Sequence, residues 1–349
     1  MNVLYASDDG YAAVLGVSLL SLCSNNRELK ELRIFLLDGG ISPENHKRLD
    51  DIAKRFDRKL EWITAEGFEK VIVPQTEDGN EPDTEGHLLD AHGYNPIVYV
   101  RLLLEDYLPE TVARILYLDC DTVVDRSLVL LETDRYLRHL IKNQQSEESW
   151  LMAAVPELYM PPAIKKRTIG FEREDIYYNA GVLFINLQQW RKEGMKDKLL
   201  EYWRKNRDRL WFNDQDILNA CCRGRIVTLP QAFDMNPNLP YFPRWYMKRI
   251  QPAYCSGPIK WRKMIDHPVI IHYMGDERPW IEGNRNYYRN TYFRYQKQTP
   301  WKDCKPISGR KRYMRLYHLM NQLTRIFPYG RMLLTNIIGI RLYRMIGKK

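Results

Sequence analysis

The chain has 349 residues, of which 44% are hydrophobic, and carries a formal net charge of +9. A chain of this length and composition can bury one core of about 250 to 300 residues plus an appendage, which excludes an intrinsically disordered protein. Its six cysteines are too sparse for a disulfide scaffold and contain no Cys-x-x-Cys pair, so we expect reduced thiols in an intracellular protein.

The positive charge is concentrated near the C-terminus. Residues 301–349 hold twelve Lys and Arg against Asp303 alone, a net charge of +11, which leaves −2 for the first 300 residues. A nearly neutral body with a basic tail argues against a nucleic-acid-binding fold. The N-terminus lacks a basic segment followed by an apolar run, and no apolar stretch reaches the roughly 20 residues that cross a bilayer, so we expect neither a signal peptide nor a membrane span.

The first half of the sequence alternates short apolar runs with helical patterns, which is typical of βαβ units and a largely parallel sheet. Strands are predicted at Val3–Ala6, Leu32–Leu37, Leu60–Thr64, Arg114–Leu118, Leu151–Val155, Gly181–Asn186, Arg225–Leu229 and Val269–His272. Helices are predicted at Tyr11–Cys23, from Ser42-Pro43 onward, at Val98–Tyr107, at about Met195–Arg207 and at Asp214–Cys222. The stretch Pro74–Asn95 is rich in acids, Gly and Pro, so it should form a long surface loop, either a lid beside a site or an idle insertion.

The last segment, from about Gly309, combines basic residues with helical periodicity. Its apolar residues fall roughly on one helical face: Tyr313, Leu316, Tyr317, Met320, Leu323 and Phe327. A basic patch attracts anionic lipid by roughly 1 kcal/mol per Lys or Arg, and apolar side chains add to this, so we expect peripheral binding to an anionic membrane surface. Docking of the stripe on the body and nucleic-acid binding are the alternatives, although interleaved Leu, Ile and Met suit lipid better than base stacking.

The sharpest local signal is the segment Arg114–Val124, in which an apolar strand delivers Asp119 and Asp121 to its C-terminal end. Open α/β sheets bind ligands at that end. Alternate residues of a strand can reach one ion, and hard carboxylate oxygens suit Mg²⁺ or Mn²⁺ bridging a diphosphate. Taken alone, the pattern is equally typical of turn or capping acids.

A second apolar strand ends in His272 and Gly275 and is followed by Arg278. A histidine at a strand end is commonly a structural residue. Together with two aspartates, however, an imidazole nitrogen shifts metal preference from Mg²⁺ toward Mn²⁺. Gly275 would let the backbone approach a phosphate, and Arg278 would neutralise a departing diphosphate.

Two polar segments complete the set of candidate site residues. Asn179 stands at the start of a buried strand, and Asp214-Gln215-Asp216 clusters at a helix start. Helix capping and strand initiation are sufficient explanations for either segment alone. Such amides and carboxylates are also what the hydroxyl groups of a sugar require.

Taken in order, these residues resemble glycosyltransferase family 8, the family of the bacterial lipooligosaccharide α-galactosyltransferases and, more distantly, glycogenin. The resemblance runs from Val3 to about Trp280 through seven motifs: Tyr5-Ala6-Ser7-Asp8-Asp9, Leu37-Asp38-Gly39-Gly40-Ile41-Ser42, Tyr99-Val100-Arg101-Leu102, Tyr117-Leu118-Asp119-Cys120-Asp121, Asn179-Ala180-Gly181-Val182, Asp214-Gln215-Asp216 and His272-Tyr273-Met274-Gly275. The resemblance implies an α/β fold of the GT-A type, Rossmann-like with a mostly parallel central sheet. It also implies retaining, Mn²⁺-dependent transfer from a UDP-hexose, with Mg²⁺ less effective.

The resemblance implies a role for each matched residue. The metal ligands would be Asp119, Asp121 and His272. The residues that bind the donor would be Ala6 and Asp8 against uridine, Tyr11 stacking nearby, Cys120 within the Asp-x-Asp segment, Gly275 and Arg278 at the diphosphate, Arg101 near the donor sugar and diphosphate, Asn179 and Asp214 at the sugar hydroxyls, and Gln215 beneath the anomeric carbon. Gln215, Asp214 and Arg101 are the expected catalytic residues.

The sequence departs from the family pattern at three places. Arg278 stands where the family often has Lys, which keeps the charge but alters its geometry. Tyr94-Asn95-Pro96 intervenes before Tyr99, where small hydroxyl residues are common, and Pro156-Glu157 stands where an acceptor-side Asp is expected. The acceptor is therefore predicted only as a hydroxyl of a cell-surface or protein-linked glycan.

The resemblance up to about Trp280 and the basic, amphipathic pattern after Gly309 together predict a domain organisation. We expect a GT-A catalytic domain at 1–285, a connector at 286–308 and a basic amphipathic membrane-association tail at 309–349. The enzyme would be cytoplasmic and peripherally bound to the inner face of the cell membrane.

Retention of configuration requires either a covalent intermediate or attack from the face of the leaving group. Gln215 is a poor nucleophile, so same-face attack is favoured, with Asp216 as the minority nucleophile. A competing interpretation is a HAD-type phosphatase with Asp119 as nucleophile, but such enzymes usually begin with that strand, and His272 would have no role. A non-catalytic membrane-bound glycan-binding module predicts missing metal ligands, yet all three candidates are present.

Overall fold

A computed structural model of the chain describes residues 1–64, 96–132, 134–144, 149–158, 163–172, 174–250, 258–331 and 333. The predicted loop Pro74–Asn95 lies outside the described residues, as do 334–349 in the tail. The chain divides into two compact units. The first contains Met1–Ala12, Glu28–Cys120 and Val129–Leu229, and the second contains Ala13–Arg27, Asp121–Leu128 and Pro230–Lys349.

The strands follow the predicted apolar runs closely. In chain order they are β1 (Asn2–Ser7), β2 (Arg33–Asp38), β3 (Leu60–Thr64), β4 (Ile115–Leu118), β5 (Thr122–Val124), β6 (Met152–Pro156), β7 (Tyr178–Ile185), β8 (Ile226–Thr228) and β9 (Ile270–His272). Seven of them form the sheet of the first unit, in the order β3-β2-β1-β4-β7-β6-β8. Only β7 runs against its neighbours, so the predicted α/β fold with a mostly parallel sheet is confirmed.

The helices surround these strands in sequence. They are α1 (Ala12–Asn25), α2 (Pro43–Lys54), α3 (Leu104–Tyr107), α4 (Val129–Glu132), α5 (Asp134–Gln144), α6 (Ala163–Thr168), α7 (Leu187–Glu193), α8 (Met195–Asn206), α9 (Asn213–Cys221), α10 (Arg244–Ile250), α11 (Pro258–Asp266), α12 (Arg289–Gln296) and α13 (Lys311–Thr324). The predicted start of α2 is confirmed, because the Ser42 hydroxyl accepts a hydrogen bond from the Asn45 amide at 3.4 Å and Pro43 is the first helical residue.

The predicted helix Val98–Tyr107 is wrong as a single element. The segment is a 3₁₀ helix at Pro96–Leu102 followed by the single turn of α3. The Leu103 amide bonds to the Val100 carbonyl three residues back, which is the tighter winding of a 3₁₀ turn. An amphipathic α-helix at the surface buries one apolar stripe and exposes the rest. Here the four consecutive residues from 100 to 103 are all buried. The apolar residues of this segment therefore reflect burial on every side and not one face of an α-helix.

Polar contacts between α1 and β5 organise the second unit. The Ser18 and Thr122 hydroxyl groups lie 3.0 Å apart, and the Ser21 hydroxyl accepts from the Val124 amide at 2.9 Å. A Cβ atom on Gly16 would lie 2.2 Å from the ring of Trp301, so the glycine lets the backbone of α1 touch that ring directly. These contacts fix the strand that follows Asp121.

A buried carboxyl group, that of Glu277, joins α13 to the rest of the second unit. The Tyr317 hydroxyl on α13 donates to Glu277 Oε1 at 2.5 Å and accepts from Asn238 Nδ2 at 2.8 Å. Glu277 is 1% exposed, and this burial raises its pKa to about 7. The folded protein therefore favours the protonated carboxyl group.

We expect the free energy of unfolding to fall as the pH rises through about 7, because the folded state holds the Glu277 proton more tightly than the unfolded chain does. This contribution is fully present below the usual pKa of 4.5, is lost above about 7, and amounts to roughly 3 kcal/mol. Urea denaturation at pH 5 and pH 8.5 measures it. Glu277→Gln should flatten the dependence, whereas Glu282→Gln, on a partly exposed carboxylate paired with Lys311, should leave it unchanged. Equal pH slopes for wild type and Glu277→Gln would contradict this assignment.

Candidate active site

The second unit brings Asp121 and His272 together at the ends of two paired strands. Strands β5 and β9 are antiparallel with Thr122 opposite His272, so Asp121, just before β5, lies beside the imidazole. Asp121 Oδ1 is 3.1 Å from His272 Nε2, and both residues are buried. On the other side of the ring, Asp234 Oδ1 is 3.0 Å from His272 Nδ1. The imidazole is therefore held between two carboxylates.

These neighbours control the charge of the imidazole. Burial disfavours the charged ring, but the carboxylates of Asp234 and Asp121 outweigh burial and raise the pKa of His272 well above its usual value. For Asp121, burial acts to raise the pKa, but His272 and then Arg278 overcome it, and the pKa is lowered. The pair is thus an ion pair, with Asp234 fixing the orientation of the ring.

Two further predicted residues of this unit lie close in sequence to β9. Gly275 has a φ of 59°, in the left-handed region that glycine adopts without strain. Arg278 Nε lies 3.9 Å from Asp121 Oδ2, and its side chain is 28% exposed. The structure therefore places a positive charge beside the carboxylate of Asp121, and the contact of Arg278 with a diphosphate stays a prediction.

In the first unit, Arg101 links two predicted site carboxylates. Its guanidinium donates to Asp119 Oδ1 at 2.8 Å and to the Ala180 carbonyl at 2.6 Å, and its Nε lies 3.1 Å from Asp214 Oδ2. The same group lies 4.4 Å from the centre of the Tyr117 ring. Arg101 is 4% exposed. Its contacts hold the first aspartate of the Asp-x-Asp segment and the aspartate that begins α9 in fixed positions.

Asp214 is strongly affected by this environment. Burial raises its pKa to about 6, even though the nearby charge of Arg101 opposes the shift. A carboxyl group with such a pKa is a typical feature of functional sites, although structural ion pairs show it as well. The preceding residue, Asn213, adopts a positive φ of 45°, an uncommon conformation for a residue other than glycine, at the start of the same helix.

The amide residues of the first unit form a second connected group. Asn179 Nδ2 donates to Glu157 Oε2 at 2.6 Å, while Asn179 Oδ1 accepts from the Gly181 amide at 2.7 Å. Gln215 Oε1 accepts from the Ala180 amide at 2.9 Å. Strand β7 and the first turn of α9 are joined by these bonds, so both predicted amides have fixed side chains.

The oxygens of Asp216 are occupied by hydrogen bonds within the fold. Oδ1 accepts from the Tyr177 hydroxyl at 2.5 Å, and Oδ2 accepts from the amides of Trp211 and Phe212 at 2.6 and 2.9 Å. The residue is 3% exposed. A carboxylate with these three donors holds the turn before α9 in place, which is a structural role.

The residues predicted to face uridine lie at the C-terminal end of β1. Asp8 Oδ1 accepts from the Tyr11 amide at 3.0 Å, which caps the short 3₁₀ turn before α1. Cys120 Sγ donates to the carbonyl of Ala6 at 3.2 Å, so the segment that follows β4 lies beside the end of β1. Within the first unit, the structure therefore places the end of β1 next to Cys120.

Sequence reasoning missed two residues of this site, Asp234 and Glu157. Asp234 reaches His272 because the neighbouring Met235 bridges to Ile271 of β9, a pairing between distant segments that no local pattern announces. Glu157 was noted only as a departure from an expected Asp. The available signal was its position directly after the buried strand β6, where a buried carboxylate needs a donor such as Asn179.

Comparison with known sequences identifies relatives across most of the chain. The sequence profile described as "Glycosyl transferase family 8" matches residues 2–283. General stress protein A of Bacillus subtilis (strain 168) is 26% identical over 306 residues, which cover 86% of this chain and 94% of that protein. A lipopolysaccharide 1,2-glucosyltransferase of Escherichia coli is 22% identical over 330 residues, covering 92% and 86% of the two chains.

Comparison with solved structures gives the same picture of the fold. The galactosyltransferase LgtC, crystallised with donor and acceptor sugar analogs, superposes with a TM-score of 0.66 at 24% identity. The match covers 86% of this chain and 96% of LgtC. At this level of identity the likeness establishes the α/β architecture, with the mostly parallel sheet described above.

Proposed function

Because the chain belongs to glycosyltransferase family 8, and is thus a glycosyltransferase of the GT-A fold, we propose that it transfers a hexose from UDP to a glycan hydroxyl with retention of configuration. The single observation that carries this proposal is the pairing of Asp121 with His272 at the joined ends of β5 and β9. Strand pairing itself does not require a carboxylate or an imidazole at these two strand ends. We therefore interpret Asp121 and His272 as ligands of a bound group.

The residues fit a divalent metal ion. Asp119, Asp121 and His272 each offer one oxygen or nitrogen ligand atom, and Asp119 stands two positions before Asp121 in the chain. Metal-ligating histidines are usually oriented by a carboxylate at the other ring nitrogen, and Asp234 occupies that position. Two carboxylates with an imidazole suit Mn²⁺ better than Mg²⁺. When bound, such an ion supplies Lewis-acid stabilisation of negative charge on a diphosphate leaving group.

The protein's own residues supply the remaining functions in this proposal. Arg278 contributes a further positive charge toward the diphosphate. Asp214 and Asn179 bind hydroxyl groups of the donor sugar, and Arg101 keeps Asp214 and Asp119 in place without leaving its buried position. Gln215 is an amide fixed by its bond to the Ala180 amide. In this proposal it would lie under the anomeric carbon and stabilise positive charge there without attacking it.

The names of the relatives guide the choice of substrates. A glucosyltransferase acting on lipopolysaccharide and a galactosyltransferase stand among them, so we propose UDP-glucose or UDP-galactose as donor and a cell-surface or protein-linked glycan as acceptor. The test is the release of UDP from a panel of UDP-hexoses, with and without Mn²⁺. Slow Mn²⁺-dependent release from one of these two donors supports the proposal, and no release from any UDP-hexose in the presence of Mn²⁺ rules it out.

We expect the product to be an α-glycoside formed without a covalent glycosyl-enzyme, because Gln215 is an amide and Asp216 is fully engaged inside the fold. Gln215→Ala should lower turnover yet leave measurable activity, since it removes charge stabilisation and not a nucleophile. NMR coupling constants of the product and intact-protein mass spectrometry after donor incubation provide the readouts. A β-linked product, or a hexosyl adduct on Asp216, would contradict this mechanism.

A phosphatase using Asp119 as nucleophile is the second candidate, and the structure argues against it. Asp119 Oδ1 accepts a hydrogen bond from the buried Arg101 at 2.8 Å, so one of the two oxygens that a nucleophile would use is already engaged within the fold. The match to glycosyltransferase family 8 over residues 2–283 also places the chain among glycosyltransferases and not among phosphatases. Hydrolysis of a phosphomonoester that disappears in Asp119→Asn while UDP-hexose turnover is absent would reverse the order of the two candidates.

A further inference from the structure

Helix α13 faces the second unit with its polar side and turns its apolar side outward. The buried residues of the helix are Met314, His318, Asn321 and Thr324. On the opposite face, Leu316, Leu319 and Leu323 are 68%, 58% and 56% exposed. Surface helices normally bury the apolar stripe and expose the polar one. The inverted arrangement leaves three leucines, spaced three and four residues apart, on one outward face.

Specific hydrogen bonds fix this orientation. His318 Nε2 accepts from the Arg285 amide at 2.7 Å, and the Tyr317 hydroxyl donates to Glu277 and accepts from Asn238. Rolling the helix to bury its leucines would break these buried contacts, and the loss of each would cost free energy. The outward leucine face is therefore a stable feature of the unit.

The apolar surface continues beyond the end of α13 and onto α10. Ile326 and Phe327 are 83% and 66% exposed. Trp245 of α10 is 57% exposed, and its ring lies 6.0 Å from that of Tyr329. Groups of exposed apolar side chains on neighbouring elements mark interaction sites. Together these residues and the three leucines form what we call the outward face.

Positive charge surrounds the outward face. The exposed basic residues of the two helices and their flanks are Lys248, Arg249, Arg312, Arg315 and Arg325, together with Arg310 and Lys311, which pair with Asp276 and Glu282. The sequence has no Asp or Glu after Asp303. Leucine and phenylalanine beside arginines, with Trp and Tyr at the edge, match a membrane interface, where apolar side chains enter the acyl boundary and aromatic and basic groups meet the headgroups.

The same charges disfavour a second copy of the chain as the occupant. In a two-fold contact through this face, Arg312 and Arg315 of each copy would oppose like charges on the other. An anionic lipid surface, in contrast, would neutralise Arg312 and Arg315. Among the described helices none is long and apolar enough to cross a membrane.

We propose that the outward face of α13, extended by Trp245, Ile326, Phe327 and Tyr329, docks the protein reversibly on anionic lipid bilayers. The basic residues provide attraction and the apolar residues insert at the headgroup boundary. Two signals of this kind give stable but reversible attachment. The proposal concerns a surface separate from donor chemistry, and lipid binding is measured without any UDP-sugar, so its failure is distinguishable from failure of the transferase proposal.

The experiment compares full-length proteins in sedimentation with vesicles of pure phosphatidylcholine and of phosphatidylcholine with phosphatidylglycerol. We expect the wild type to bind the anionic vesicles at least tenfold more tightly than the neutral ones, with partial release in high salt. The triple variant Leu316→Gln, Leu319→Gln, Leu323→Gln should lose at least tenfold in affinity for anionic vesicles. Because these side chains are exposed, its melting temperature and UDP-hexose turnover should remain those of the wild type.

The matched control is Ile259→Gln, which replaces an 83% exposed apolar side chain on α11 that lies outside the outward face. It should bind anionic vesicles like the wild type. Trp245→Ala should weaken binding by a smaller factor than the leucine triple variant does. Equal binding by the triple variant and the wild type, or no preference for anionic over neutral vesicles, would overturn the proposal. So would a dimer in solution that the triple variant converts to a monomer, because the face would then bind a second copy.

Discussion

Replacement of His272 or Asp121 by alanine is expected to lower turnover of UDP-hexose by a factor on the order of 10² to 10³. Each variant removes one ligand of the proposed metal site. Because Asp121 Oδ1 and His272 Nε2 lie 3.1 Å apart, the ligand that remains also loses a contact that positions it. Asp234→Asn, which keeps the size of the side chain but removes its charge at His272 Nδ1, should cost roughly 10- to 100-fold. A smaller loss of turnover in Asp234→Asn than in the His272 and Asp121 variants would distinguish the two proposed metal ligands from the residue that orients His272.

The control is His267→Ala, which removes an exposed histidine from the turn just before β9, where it contacts Arg126. Its turnover should equal that of the wild type. EDTA should abolish wild-type turnover, Mn²⁺ should restore it, and Mg²⁺ should restore it less well. Wild-type rates in Asp121→Ala, or full activity in EDTA, would remove the metal from the proposed mechanism.

Arg101→Ala is expected to destabilise the folded protein by roughly 3–5 kcal/mol, the range for removing one member of a buried ion pair. The substitution leaves the carboxylates of Asp119 and Asp214 without the guanidinium that lies 2.8 and 3.1 Å from them. It also removes the bond to the Ala180 carbonyl. We further expect the loss of most catalytic activity, because both carboxylates belong to the proposed site.

Two other substitutions make this result specific. Arg101→Lys keeps the charge but cannot reach all three acceptors with one rigid group, so an intermediate loss is expected. Arg223→Ala breaks an ion pair with Asp175 at 2.6 Å, but the arginine side chain is 44% exposed, and its loss should change stability by no more than about 1 kcal/mol. Urea denaturation measures all three. A change below about 1 kcal/mol for Arg101→Ala would show that the buried cluster adds little to stability.

The strands could be predicted from sequence because a parallel sheet covered on both faces requires continuous apolar runs, as in β2 and β4, which have no buried polar position. Two elements without such a run could not. Strand β5 has three residues and exists only because it pairs with β9, and α12, within the predicted connector, lacks a clear apolar period. The α-helix at Val98–Tyr107 was predicted wrongly, because the 3₁₀ helix Pro96–Leu102 has apolar residues that also satisfy an α-helical pattern.

The candidate site could be predicted as a list of residues but not as an arrangement. Asp121, His272 and Arg278 were recognised by their positions after apolar strands, and the structure brings these three together. The role of Arg101 as a contact of the donor stays a prediction, and the sequence did not indicate that its side chain bonds to Asp119, Asp214 and a backbone carbonyl. Which groups a buried arginine bonds depends on tertiary packing, and one-dimensional patterns contain no information about it.

The division of the chain between the two units has a consequence for synthesis on the ribosome. Thr122 pairs with His272 across 150 residues of chain, and the second unit also draws on 13–27, 121–128 and the segment that begins at Pro230. At typical elongation rates, on the order of ten seconds pass between the emergence of β5 and that of β9. Throughout that interval the nascent polypeptide carries the β5 segment without its pairing strand and an aspartate without its histidine. Chains released early by a stalled ribosome therefore lack the proposed metal-ligand pair altogether, and the unpaired apolar segment makes the waiting chain a natural client for chaperones.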